Sequence, residues 1–179
     1  TVLSRGLGDV YKRQLLAVTI ATGTSAYAAG DAEAGQAKAA TCVACHGVDG
    51  NSAVPTFPKL AGLGHKYLLK QMQDIRDGRR PVALMAGQVD NMTDQDLSDI
   101  AAFYDSQSRT GGMADPDKVA LGRKVYLAGI AERQVPACSG CHSPTGNGNG
   151  PAGYPALGGQ HADYIAAQLK MFRKGYEDP

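Results

Sequence analysis

The 179-residue chain predicts an all-α fold made of two copies of one small helical unit, the second copy incomplete. Three observations lead there. Two segments of the chain align when displaced by 96 to 97 positions. Apolar residues recur at helical spacing, with no convincing alternating strand. The stretches between predicted helices are rich in Gly, Pro and Asn, the residues that punctuate a chain. An offset held over about 35 residues marks a duplicated structural unit.

The elements follow in chain order. Residues 1–28 read as an export region. Lys12 and Arg13 precede a short apolar run over 15–21, and Ala26-Tyr27-Ala28 offers small residues for cleavage after Ala28. Residues 1–14 do not read as a natural signal start, and Leu3 to Gln14 read as non-native sequence. The first unit then spans 29–110. Asp31 caps a helix over 34–40. A second helix over 65–77 sets Tyr67, Leu68, Gln71, Met72 and Ile75 on one face. Thr93 followed by Asp96 forms a capping box that opens a third, with Leu97, Ile100, Ala101 and Tyr104 inward. Residues 111–117 form a linker, and the second unit occupies 118–179. Its first helix begins near Asp117 and carries Gly122 and Tyr126.

Bulk properties exclude several functions. The formal charge is +1, from 18 basic and 17 acidic residues, which predicts no nucleic-acid binding. No apolar run reaches the roughly 20 residues of a membrane span. There is no Trp, only 3 Phe, and 23 Gly, a poor supply of core for two small domains. Something other than side chains is expected to fill the interior.

The cysteines say what that is. All 4 fall in two C-x-x-C-H motifs, Cys42-Val43-Ala44-Cys45-His46 and Cys138-Ser139-Gly140-Cys141-His142, which coincide in the repeat. Two cysteines three apart in one helical turn point the same way, so both thiols reach the two vinyl groups of one haem. The next residue, His46 or His142, offers its imidazole to the iron. Two disulfides, a thioredoxin-like redox pair and a four-cysteine zinc site are the competing readings. The first and third leave both histidines idle, and no βαβ pattern supports the second. The motifs thus predict two covalent haem c groups.

A haem electron carrier needs a sixth ligand, and a thioether raises its potential. The candidates after His46 are Met72, Met85 and Met92. Met72 sits on an apolar helix face and Met92 precedes a helix cap, whereas Met85 lies in a loop between helices and is preferred. Adding the repeat offset to Met85 passes Pro179, and Met171 falls within the helix matching that of Met72. The second unit's distal ligand and closing helix are therefore expected beyond the end of the chain. His65 and His161 are expected to be exposed and non-ligating. Lys66, Lys70, Arg76, Arg79 and Arg80 form a basic cluster, read as a solvated face or as partners of haem propionates.

With these motifs in hand the chain resembles the cytochrome c4 family of two-domain dihaem cytochromes. The resemblance runs through 29–35, both C-x-x-C-H motifs, Phe57-Pro58-Lys59-Leu60-Ala61-Gly62, Tyr67-Leu68-Leu69-Lys70-Gln71, Thr93-Asp94-Gln95-Asp96-Leu97 and Gly158-Gly159-Gln160-His161. It implies two tandem class I cytochrome c domains related by a pseudo-twofold. By position, Cys42, Cys45, Cys138 and Cys141 hold the haems, and His46, Met85 and His142 bind iron. Pro58 and Pro155 present carbonyls to the axial imidazoles, while Leu60 and Leu157 contact the haem faces. The resemblance further implies a periplasmic respiratory electron carrier rather than an enzyme. Its expected partners are an upstream quinol-oxidising complex and a terminal haem–copper oxidase, often with peripheral membrane association. The alternatives are a haem subunit of a flavoprotein dehydrogenase, such as a sulfide-oxidising complex, and a dihaem peroxidase.

Overall fold

The structure is a computed structural model that describes residues 30–175; the export region lies outside the described residues. Seven α-helices occur among those residues: α1 (Ala32–Lys38), α2 (Val43–His46), α3 (His65–Arg76), α4 (Asp94–Ser106), α5 (Pro116–Ala128), α6 (Ser139–His142) and α7 (Ala162–Arg173). Short 3-10 turns lie at Ala39–Thr41, Ala83–Met85 and Ala131–Arg133. Apart from two isolated bridges, Ile130 with Val135 and Asn149 with Tyr154, no β-structure appears among the described residues.

Local chemistry accounts for the helix ends. The Asp31 carboxylate accepts from the N–H groups of Glu33 and Ala34 at 2.9 and 3.2 Å, so α1 opens directly behind it, two residues before the predicted start. Thr93 and Asp96 close the predicted capping box: Asp96 N–H donates to Thr93 Oγ1 at 3.1 Å and Thr93 N–H to Asp96 Oδ2 at 2.9 Å. Asp115 caps α5, with Pro116 in its first turn, so the helix begins inside the stretch read as linker.

The first unit is built on α1 crossing α4 and on α3 packing beside α4. The crossing is close because Gly35 has no side chain; a Cβ there would lie 1.9 Å from the Asp99 carbonyl oxygen. Ala39, Leu63, Leu68, Ile100, Ala101, Phe103 and Tyr104 form the buried core beneath. The second unit differs. Ala156 is its one buried apolar residue among the described residues, and Leu121, Leu169 and Phe172 are 67 %, 60 % and 50 % exposed. A Cβ at Gly122 meets nothing within 4 Å. The helices of this unit do not bury one another.

Polar contacts join the two units. Lys59, Arg80, Lys66 and Ser52 of the first meet Gln160, Gln168 and Tyr164, Pro151 and His161 of the second. Of the predicted basic cluster, Arg80 is thus buried in the interface rather than solvated. Arg76 and Arg79 pair with Asp77, and Lys70 and Arg79 with Asp74.

Candidate haem sites

Each C-x-x-C-H motif forms a single helical turn. His46 N–H donates to the Cys42 carbonyl, and His142 N–H to that of Cys138, both at 2.9 Å. In each motif the first cysteine is half-buried and the second exposed, and all four thiols are free. Burial pushes the Cys42 thiol up, and the buried Tyr104 hydroxyl lies beside it. Leaving each turn requires a positive φ, which Gly47 adopts freely at 82°. Its counterpart Ser143 holds 67°, a strained value for a residue with a side chain, and its carbonyl accepts from Tyr126 Oη at 2.6 Å.

The two imidazoles are held alike. His46 Nδ1 lies 2.9 Å from the Pro58 carbonyl and His142 Nδ1 lies 2.8 Å from that of Pro155. A carbonyl can only accept, so Nδ1 carries the proton in both, and Nε2 is left with its lone pair free to bind a metal. Burial lowers the His46 pKa, against the opposing pull of the Pro58 carbonyl, which favours the neutral ligand form. An aromatic edge stands against each ring: Phe57 at 6.4 Å from His46 and Tyr154 at 5.8 Å from His142. No motif marks Tyr154 in the sequence, although the repeat register places it opposite Phe57. Leu60 and Leu157 are half-buried, and each N–H donates to a glycine carbonyl, Gly50 at 2.7 Å and Gly146 at 2.8 Å. Leu60 also packs on the core.

Among the methionines, Met72 and Met92 pack against the core cluster, whereas Met85 is half-buried at the end of a 3-10 turn and outside that cluster. His65 and His161 are half-buried rather than exposed. The first meets the Ser98 carbonyl and hydroxyl at 3.1 Å, the second the Ser52 carbonyl at 2.9 Å. Each sits at a helix start where a neighbouring element brings an acceptor within reach.

Paired free thiols one turn from an imidazole with a pinned Nδ1 are the donors that a covalent haem requires, and the residues fit that group. The comparisons agree. The cytochrome c family model matches residues 32–108 and 119–178, one match for each unit. Cytochrome c4 of Pseudomonas aeruginosa is 58% identical over 160 residues, covering 89% of this chain and 80% of that protein. The chain belongs to the cytochrome c4 family. The crystal structure of reduced recombinant cytochrome c4 from Pseudomonas stutzeri superposes with a TM-score of 0.81 at 53% identity, covering 84% of each chain. A more distant relative, described as a thiosulfate dehydrogenase electron acceptor from Stutzerimonas stutzeri, is 36% identical over 147 residues, 76% of this chain and 65% of that protein. As a cytochrome c4 the protein is an all-α dihaem electron carrier with two covalent haem c groups, not an enzyme, and the peroxidase reading falls away.

Proposed function

We propose that Cys42 and Cys45 would hold the first haem through thioethers, with His46 and Met85 as ligands to its iron, and that Cys138 and Cys141 would hold the second, with His142 as a ligand to its iron. The units so formed are 29–110 and 118–179, joined by 111–117. The observation that carries this reading is the matched Nδ1–carbonyl bond in both repeats, since it presents Nε2 in the ligating tautomer twice over. The iron, when bound, supplies one-electron cycling without proton chemistry. The protein's part is to fix the imidazoles and exclude water. Pro58 and Pro155 orient the rings and strengthen them as donors. Leu60 and Leu157 stand at the same position of each loop, two residues on, as apolar contacts for a haem face. Met85 would supply the second ligand to that iron, a reading supported by the packing of Met72 and Met92 against the core.

The carrier works in the periplasm, drawing electrons from a quinol-oxidising complex and delivering them to a terminal haem–copper oxidase, with peripheral association to the membrane. No helix among the described residues is long and apolar enough to cross it. A second reading has specific support. The likeness to a thiosulfate dehydrogenase electron acceptor favours an upstream donor that oxidises sulfur compounds. The flavoprotein sulfide-oxidising partner is the related alternative. Reduction rates of the holoprotein by each donor class would rank them.

The decisive test is haem stoichiometry by pyridine haemochrome with intact mass. Two c-type haems per chain are expected, falling to one in Cys42→Ala/Cys45→Ala or in Cys138→Ala/Cys141→Ala. Met85→Ala should abolish the weak red absorption of thioether-ligated ferric iron at the first site, whereas Met72→Leu and Met92→Leu should keep it. Retention in Met85→Ala would reassign the ligand.

A further inference from the structure

The Pro58 carbonyl and the Lys59 N–H belong to one peptide group, and both of its ends are engaged. The carbonyl accepts from His46 Nδ1–H at 2.9 Å. The N–H donates to Gln160 Oε1, in the second unit, also at 2.9 Å. Gln160 Nε2–H then donates to the Lys59 carbonyl at 2.8 Å, so its amide grips Lys59 on both sides. The same Oε1 accepts from His161 N–H at 3.0 Å. Lys59 is buried, and its ammonium donates to Thr110 O and Oγ1 at 2.9 Å each, which holds the peptide in place.

A peptide group whose N–H is engaged carries more negative charge on its oxygen and accepts more strongly, because chained hydrogen bonds polarise one another. A stronger acceptor at Pro58 draws the His46 Nδ1 proton and makes Nε2 a better donor to a metal. We propose that Gln160 is a positioning residue of the first haem site, acting across the domain interface through the Pro58–Lys59 peptide to stabilise the oxidised iron and lower the potential of that haem. The inference rests on the reading of His46 as an iron ligand.

The device is one-sided. The repeat register sets Leu63 opposite Gln160 and Ala156 opposite Lys59. Leu63 is buried and has no amide, so the Pro155 peptide receives no such help from that position. Two imidazoles held by matching Nδ1–carbonyl bonds are thereby made unequal, and the inequality depends on the domains being docked.

Redox titration of the holoprotein, with the two haems resolved by NMR, tests this. Gln160→Leu, which copies Leu63, should raise the reduced-to-oxidised ratio of the first haem about threefold at fixed potential, about 28 mV at 59 mV per decade. The His46 Nδ1–H resonance of the reduced protein should move upfield while that of His142 stays. Gln160→Glu keeps an acceptor for the Lys59 N–H and should leave the first potential at or below its native value. Gln168→Leu removes a neutral interface partner of Arg80 and controls for loosened docking; it should leave the His46 resonance in place. The proposal is overturned by a native potential and resonance in Gln160→Leu, by a rise common to the Leu and Glu variants, or by the same shift in Gln168→Leu. Failure of the underlying reading is seen separately, as an unchanged low-spin spectrum of the first haem in His46→Gly.

Discussion

Asp99 shows how much a single carboxylate organises. It is 3 % exposed and receives Lys38 Nζ at 2.6 Å, the Asp31 N–H at 2.9 Å and Gln95 Nε2 at 2.7 Å. The Lys38 ammonium, followed by the Asp31 N–H, holds its carboxyl below the usual range; Lys38 and Thr93 do the same for Asp96. The sign follows from linkage. A carboxyl with a depressed folded pKa contributes stability that is complete above the unfolded value of about 3.9 and is lost as pH falls through the folded one. Denaturant melts of the holoprotein should show stability dropping below about pH 4, and Asp99→Asn should flatten that acid limb. An unchanged limb would show that the contact contributes nothing. The role of Asp99 was hidden in the sequence. Helical spacing placed Leu97, Ile100, Ala101 and Tyr104 inward, and Asp99 is buried only because α1 crosses there.

Between elements, the α1–α4 crossing depends on the missing side chain of Gly35. Gly35→Ala would press a Cβ against the Asp99 backbone, and overpacking of this kind costs about 1–3 kcal/mol despite the better helix propensity of alanine. Thr93→Ala removes half of the capping box and should cost about 0.5–2 kcal/mol. Guanidinium midpoints on the holoprotein measure both, and a loss at Gly35 no greater than at an exposed helix position would refute the close contact. The elements themselves were largely readable. Caps and 3.6-residue periodicity depend on neighbours three and four apart, so α3 and α4 appear where expected. The bounds of α1 and α5 moved because Asp31 and Asp115 cap their helices directly.

Across the whole molecule, Lys59 is the knot that ties the units. Its backbone is gripped by Gln160, and its ammonium is bound by the oxygens of Thr110, with Gly111 O at 3.4 Å. Hydrogen bonds to a charged group contribute about 1.5–3 kcal/mol. Lys59→Met should therefore speed hydrogen exchange or proteolysis over 107–115 by about ten- to a hundredfold, at 1.4 kcal/mol per decade. Native protection in that variant would place the tie elsewhere.

Sequence alone determined the duplicated unit, its helices and caps, and the position of both C-x-x-C-H turns, because each is written in residues only a few positions apart. It also pointed to Met85, through exclusion of two methionines on apolar helix faces and caps. What only the tertiary structure decided is how the units touch. Lys59 meets Gln160 across 101 positions, Arg80 meets Gln168 across 88, and Ser52 meets His161 across 109. Such pairs join ordinary polar residues whose partners are chosen by where two folded surfaces come to rest, and no local spacing carries that information. The Lys59–Gln160 pair leaves one trace, a broken symmetry, a glutamine where the repeat has leucine.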